Sequence, residues 1–149
     1  MLSQTAIYAL RIIGYVAAQK GRRVSGSEIS TQMKIPRNFL SKISHTLSRS
    51  GLLDATRGVN GGFVLARPAA SISLADVAAL FMNLGDLDRC FLGLDDLDGE
   101  CCMHQEWALL MAHVRKFLAT RTVDQILDHG ADCGLSIEPA STSSQGETQ

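Results

Sequence analysis

The sequence lacks the long apolar run that a membrane-spanning helix requires. None of its apolar stretches approaches the roughly 18 residues needed to cross a bilayer. The opening stretch, MLSQTAIYALRIIGYVAA, has no basic start and carries Arg11 inside its apolar pattern, which argues against a signal peptide. These absences predict a cytoplasmic protein with no membrane association.

Motifs of the common enzyme classes are missing as well. The chain contains no Cys-x-x-Cys pair, no nucleotide-binding motif and no set of residues resembling a catalytic triad. Its four cysteines, two of them adjacent, do not resemble the disulfide framework of a secreted domain. The sequence therefore predicts a protein that is not an enzyme, in which clustered cysteines and a histidine serve metal or redox chemistry.

Acidic residues are scarce in the first part of the chain. Residues 1–67 contain ten Lys/Arg and two acids, a net charge of +8, whereas the remainder contains four Lys/Arg and thirteen acids, a net charge of −9. A concentration of positive charge in one half of a chain suits a polyanionic partner. A solvated basic surface would give the same count, so charge alone leaves both readings open.

Three helices are predicted in the basic part. Apolar residues at helical spacing predict a largely buried helix over about residues 4–19. Ser25 and Glu28 have the spacing of a capping box at the start of a second helix. Pro36 suits the first turn of a third helix, which Gly51 can end. A short helix, a tight turn and a further helix form the helix-turn-helix pattern.

The third helix carries a polar face suited to DNA. At 100° per residue this face covers an arc of roughly 140° opposite the apolar stripe. Arg and Lys can bind guanine or phosphate, and Asn can bind adenine. An ordinary solvent-facing side would also be polar, so the pattern is not decisive by itself. The residues of the arc are Arg37, Asn38, Ser41, Lys42 and His45.

A glycine-rich hairpin follows. Residues 52–57 and 63–66 are predicted strands, and the Asn60-Gly61 step between them favours a tight turn. Arg57 lies at the base of this wing, where its charge suits a narrow A·T-rich minor groove. Gly61 would let the backbone approach phosphates, although the turn needs glycine in any case. The fold is thus predicted to be mainly α with a small β-hairpin wing, a winged helix-turn-helix that binds double-stranded DNA.

The acidic part divides into further segments. Residues 1–84 form the predicted DNA-binding domain and residues 85–103 an acidic loop with three cysteines. Residues 104–130 comprise a long apolar-striped helix and a short capped helix that locks its end, an arrangement that predicts a homodimer. Residues 131–149 form a polar tail that is predicted to be disordered.

With these features the chain resembles the IscR/NsrR-type family of bacterial winged-helix iron–sulfur transcription regulators. The resemblance rests on the wing, Arg57-Gly-Val-Asn-Gly-Gly-Phe-Val-Leu-Ala66, on the segments Tyr8-Ala-Leu-Arg11 and Pro36-Arg-Asn-Phe-Leu-Ser-Lys42, and on Cys101-Cys-Met-His104 with its nearby Trp107. It implies a homodimeric regulator, usually a repressor, that binds an imperfect palindrome in promoter DNA. Major-groove contacts would come from the third helix and minor-groove contacts from the wing, through Arg37, Asn38, Ser41, Lys42, Arg57, Asn60 and Gly61.

The resemblance also implies a redox-sensitive cluster. Its ligands would be Cys90, Cys101, Cys102 and His104. The middle cysteine of the family's usual three is absent, since its place falls at Leu97. Mixed Cys/His ligation favours a 2Fe–2S cluster over a 4Fe–4S cluster. The same groups suit zinc, and a thiol switch without a cluster, or a protein partner, remains an alternative.

Overall fold

The computed structural model describes residues 2–90 and 102–128, with Cys102 and Asp128 described by their backbone alone. Six α-helices and one hairpin form the described part of the chain. The mainly α fold with a two-stranded wing is confirmed. The elements are α1 Gln4–Ala18, α2 Gly26–Met33, α3 Arg37–Arg49, β1 Leu53–Thr56, β2 Gly62–Leu65, α4 Leu74–Ala78, α5 Cys102–Thr120 and α6 Val123–Asp128, with 3₁₀ turns at Ala69–Ser71 and Leu84–Asp88.

The helix-turn-helix differs from its prediction in one hydrogen bond. Ser25 Oγ accepts the N–H of Glu28 at 3.2 Å, as a capping residue should. The Glu28 carboxylate does not return to Ser25 but binds Tyr15 and Arg22 instead. A complete capping box occurs at Ser73 and Asp76. The helix that this box starts, α4, ends at Ala78.

The wing is joined to the start of the helix-turn-helix. β1 and β2 pair in antiparallel register from Leu53 opposite Leu65 to Thr56 opposite Gly62. Val24 extends this pairing on the other side of β2: its N–H donates to the Phe63 carbonyl at 2.9 Å, and the Phe63 N–H donates back at 2.8 Å. Because Val24 directly precedes the Ser25 cap, the wing and the start of α2 are held at a fixed separation.

Two apolar clusters hold the helices together. The larger one surrounds α1 and includes Ile12, Ile13, Ile43 and Leu47, all about 1% exposed or less. The smaller one seats α5 against the rest and consists of Leu74, Leu87, Met111 and Leu118. At about 25 cal/mol per Å² of buried apolar area, such contacts are the main stabilising contribution to a domain of this size.

Helix α5 is amphipathic and is the longest helix described, at 19 residues. One side is buried in the smaller cluster, while several large apolar side chains remain exposed on the other. None of the described helices is both long and apolar enough to cross a membrane.

Candidate nucleic-acid interface and cysteine site

The structure exposes most of the side chains predicted to contact DNA. Arg37, Asn38, Ser41 and Lys42 are exposed on α3. The apolar side of the same helix, which includes Leu40, is buried against the core. In the wing Arg57 and Asn60 are exposed and Gly61 is half-buried. The predicted polar face of α3 and the wing are therefore both accessible from outside the protomer.

A groove of about 670 Å³ separates α3 from the wing. It divides the polar face of α3 into two parts. Arg37, Ser41 and His45 line the groove, whereas Asn38 and Lys42 do not. At 100° per residue, Asn38 and Lys42 lie roughly 100–140° around the helix from Arg37, on its outward side. The structure thus assigns two different environments to residues that the sequence pattern placed on one face.

The third wall of the groove is the start of α2. Ser25, Gly26 and Ser27 line it, and the Arg37 guanidinium donates a hydrogen bond to Ser27 Oγ. Arg37 is therefore held across the groove from α3 towards the first turn of α2. This contact joins residues ten positions apart and could not be predicted from helical periodicity.

Gly61 has a steric role in the wing. A Cβ atom at this position would lie 2.4 Å from the Thr56 carbonyl oxygen and 2.9 Å from that of Gly58. The turn between β1 and β2 therefore excludes any other residue here, as the sequence reasoning allowed. A contact between the Gly61 backbone and DNA remains a prediction.

Three polar side chains fix α2 against α1. The Tyr15 hydroxyl donates to Glu28 Oε1 at 2.8 Å, and Arg22 forms an ion pair with the same carboxylate at 2.6 Å. Burial, followed by the hydrogen bond to Glu28, raises the pKa of Tyr15 to about 12. The hydrogen bond from Arg22 lowers the pKa of Glu28 below its ordinary value. The stabilising effect of Glu28 is thus present above its unfolded pKa and is lost as pH falls through the lowered value.

Cys90 lies immediately after a segment that is fixed to α5. The Trp107 indole N–H donates to the Arg89 carbonyl at 2.9 Å. One residue earlier, at the end of the 3₁₀ turn, Asp88 forms an ion pair with Arg115 of α5. Cys90 itself is half-buried. A change in chemistry at Cys90 would therefore act on a backbone that is attached directly to α5.

His104 lies in the first turns of α5 and is exposed. Cys101 lies outside the described residues, and the side chain of Cys102 is not described either. Within residues 2–90 and 102–128, no group of three or more His, Cys, Asp or Glu side chains is placed to hold a metal ion. The proposed ligand set thus combines two described residues with two whose side chains the structure does not describe.

A conservative change at Trp107 tests the link between Cys90 and α5. Trp107→Phe removes the N–H donor, and loss of one hydrogen bond to the exposed Arg89 carbonyl costs about 1 kcal/mol. We expect alkylation of Cys90 in the reduced apoprotein to accelerate about fivefold, followed residue by residue by peptide mass spectrometry. Asp88→Asn is the matched comparison and should change the rate little, since its ion pair with Arg115 is exposed. An unchanged rate in Trp107→Phe would show that the indole does not restrain Cys90.

The fold and the exposed basic elements define the class of the protein. A helix-turn-helix, a glycine-rich wing and a basic N-terminal part together make it a winged-helix DNA-binding transcription regulator. More particularly, the chain belongs to the Rrf2 family, described as "Iron-dependent Transcriptional regulator", whose pattern matches residues 2–129. This membership confirms the family resemblance seen in the sequence.

Individual relatives agree with this assignment. A candidate HTH-type transcriptional regulator of Aquifex aeolicus (strain VF5) is 31% identical over 132 residues, which is 86% of this chain and 92% of that protein. Two solved structures share the fold. CymR (YrzC), the global cysteine regulator of B. subtilis, has a TM-score of 0.73 at 21% identity, over 87% of this chain and 97% of that one. IscR of T. potens has a TM-score of 0.69 at 18% identity, over 90% of both chains.

Sequence reasoning missed several residues of the groove. It placed His45 on the polar face of α3 but left it out of the residues expected to contact DNA, whereas this side chain lines the groove together with Ser41. It gave no role to Ser27 or Ser44, which also line it. The one local signal for Ser27 was its position at the start of a helix. The pairing of Val24 with Phe63, which brings this helix start next to the wing, is not encoded in any local pattern.

Proposed function

We propose that the protein is a homodimeric regulator whose affinity for a two-fold symmetric promoter site depends on the chemical state of residues 90–104. The observation that carries this proposal is the attachment of Arg89 to Trp107, which connects the residue next to Cys90 with α5. If α5 sets the spacing of the two recognition helices in a dimer, then a rearrangement at Cys90 changes how well they match the two half-sites.

The outward side of α3 is the proposed base-reading surface. Asn38 and Lys42 are exposed there without lining the groove, so they are free to reach base edges in the major groove. Ser41 lies between this side and the groove. Arg57, together with Asn60 and Gly61, serves the minor groove from the wing. Arg37 completes the proposed DNA-binding set.

Substitutions in this surface should separate specificity from general affinity. Lys42→Ala and Asn38→Ala are each expected to lose about 1–3 kcal/mol of discrimination at one base pair of the half-site. Arg57→Ala should weaken binding chiefly to sites with A·T-rich flanks. The measurement is fluorescence anisotropy with a panel of single-base-pair variants of the site. Identical profiles for the wild type and all three variants would remove these residues from the reading surface.

An exposed apolar stripe on α5 supports the homodimer. Met103, Leu110 and Phe117 are 52–54% exposed and follow one another at seven-residue intervals. The half-buried Trp107 and Val114 fall between them, which completes a heptad pattern typical of paired helices. A second copy of α5 is the partner that this repeat fits, because the same surface would be covered on both helices.

The cysteine site has a donor set compatible with an iron–sulfur cluster. Three thiols and an imidazole from Cys90, Cys101, Cys102 and His104 would hold a 2Fe–2S cluster, for which mixed Cys/His ligation is known. A bound cluster would supply a redox-labile centre, while the contact between Trp107 and Arg89 holds the Cys90 end of the loop against α5. A 4Fe–4S cluster is the second candidate and zinc the third.

A cluster-free thiol switch is the alternative function. Cys90 is half-buried next to a restrained backbone, so its oxidation would alter the same attachment to α5. The fold is also similar to that of Staphylococcus aureus CymR, which was crystallised in an oxidized form, with a TM-score of 0.69.

Anaerobic purification discriminates between an iron–sulfur cluster and a cluster-free thiol switch. Visible absorption, with iron and acid-labile sulfide in equal amounts, is expected for the cluster. Colourless protein without iron, in which DNA affinity changes on oxidation of Cys90, would establish the thiol switch instead. Zinc in place of iron would support the third candidate.

A further inference from the structure

The end of the wing presents an apolar side chain that no other part of the protomer covers. Val59 is fully exposed. It occupies a central position of the turn that the hydrogen bond from the Gly61 N–H to the Gly58 carbonyl closes at 3.0 Å. Such positions are commonly filled by Gly, Pro, Asn, Asp or Ser, each of which favours a turn for its own physical reason. Neither the core nor the turn therefore requires a β-branched apolar residue at this position.

Glycine makes the end of the wing narrow. Between Arg57 and Phe63 the chain reads Gly58-Val-Asn-Gly-Gly62, so Val59 and Asn60 carry the only side chains there. The minor groove of B-DNA is only about 6 Å wide. A hairpin end without flanking side chains can approach the floor of so narrow a groove more closely than one that carries them.

The wing is held at a fixed position behind this end. Val24 and Phe63 exchange two backbone hydrogen bonds. The Arg23 guanidinium adds a third connection, because it donates to the Gly62 carbonyl at 3.2 Å. Val59 is thus presented by a supported hairpin and not by a long loop, and such support is what the precise placement of a recognition side chain requires.

The charge of the wing supplies attraction to DNA without marking a base pair. Residues 55–66 contain one charged side chain, Arg57, and no carboxylate. In the minor groove, the group that distinguishes a G·C pair from an A·T pair is the N2 amine of guanine. An apolar side chain on the floor of the groove excludes water from this amine and cannot accept its N–H. A polar group left without a partner in this way is costly, so valine at the wing end disfavours G·C pairs.

We propose that Val59 packs against the floor of the minor groove and selects A·T pairs there by excluding the guanine amine. Arg57 supplies the electrostatic attraction to the groove, and Val59 supplies the discrimination between base pairs. This inference rests on the proposed function, because it requires the wing to lie in the minor groove of a promoter site.

The test uses three duplexes of the regulator's own promoter site that differ at one base pair under the wing. The pair is A·T, G·C or inosine·cytosine, and it is moved through each position of the flank in turn. Inosine lacks the N2 amine but keeps the major-groove edge of guanine. The wild type is expected to bind the A·T and inosine·cytosine duplexes alike and the G·C duplex about tenfold more weakly at the position that Val59 contacts.

Two substitutions of the same side chain isolate its role. Val59→Ser introduces a hydroxyl that can accept the N–H of the guanine amine, so the penalty against G·C should fall to about twofold. Val59→Ile is the conservative control and should keep the tenfold penalty. Because the side chain is fully exposed, both variants should unfold at the wild-type temperature.

Salt dependence separates Val59 from its charged neighbour. Arg57→Ala removes a positive charge and should reduce the slope of log K against log salt concentration by about one. Val59→Ser should leave this slope unchanged while it changes the preference between base pairs. Fluorescence anisotropy at several salt concentrations gives both quantities.

The outcomes distinguish this inference from the proposed function. If the wild type binds none of the three duplexes, DNA binding itself fails. If the wild type binds DNA but Val59→Ser keeps the full penalty against G·C, Val59 does not contact the floor of the groove and the inference is wrong. Equal weakening by G·C and inosine·cytosine would show that the pair is read from the major groove, which would also overturn the inference.

Discussion

Leu110→Asp is expected to convert the proposed homodimer into a folded monomer. The side chain is 54% exposed in the protomer, in the middle of the stripe formed with Met103 and Phe117. A carboxylate there meets water in the monomer and costs the fold little. At a two-fold interface the change places two like charges in an apolar contact, and each buried, unpaired charge costs several kcal/mol. We therefore expect the dimer dissociation constant to rise by at least about a thousandfold.

Loss of the dimer should be visible in DNA binding as well. A monomer can contact only one half-site, so the gain from linking two binding events is lost, a factor on the order of 10²–10⁴. Sedimentation equilibrium gives the mass, and anisotropy with a two-half-site duplex gives the affinity. Ala112→Asp is the matched control, because it introduces the same charge on the exposed opposite side of α5. A Leu110→Asp protein that remains dimeric would remove this stripe from the interface.

Gly62→Ala is expected to disrupt the wing. Gly62 has a φ of +143°, which side-chain-bearing residues rarely adopt, and a Cβ atom there would lie 2.4 Å from the Val24 carbonyl oxygen. Relief of this clash requires β2 to move away from Val24, which breaks the paired hydrogen bonds between Val24 and Phe63. The combined strain and lost bonding should lower the free energy of unfolding by about 3–4 kcal/mol.

A second glycine in the same hairpin separates the clash from backbone strain. Gly58 also has a positive φ, +111°, but no heavy atom lies within 4 Å of the Cβ position. Gly58→Ala should cost only about 1–2 kcal/mol. Urea unfolding of the two variants measures the difference. Equal destabilisation would show that the pairing between Val24 and β2 does not constrain the wing.

Local sequence patterns were sufficient for most of the elements. The apolar spacing of α1 and α3, the Ser25 cap and the glycine-rich turn each depend on residues within a few positions of one another, so helices and hairpin could be predicted. Competition for a hydrogen-bonding side chain by partners from other elements could not be predicted in this way. Glu28 forms its hydrogen bonds with Tyr15 and Arg22 instead of completing its capping box, because these partners come from α1 and from the loop that follows it.

In the candidate site, too, some features follow from local sequence and others depend on tertiary contacts. The exposure of Arg37, Asn38 and Lys42 follows from the periodicity of α3. Their separation into a groove side and an outward side depends on where the wing lies, which the pairing of Val24 with Phe63 determines. Likewise, the stripe on α5 is visible in the sequence, but which half of it is buried depends on contacts of Met111 and Leu118 with Leu74 and Leu87.

Chemistry within residues 90–104 is proposed to control DNA binding. Its most direct test is the dissociation constant for a duplex from the regulator's own promoter region, measured anaerobically for the protein as purified, for the metal-free reduced protein and for the oxidised protein. We expect at least one pair of states to differ by about tenfold or more, as coupling through α5 requires a free energy of about 1–3 kcal/mol. Cys90→Ala should abolish this difference. Equal dissociation constants in all three states would show that residues 90–104 do not control DNA binding.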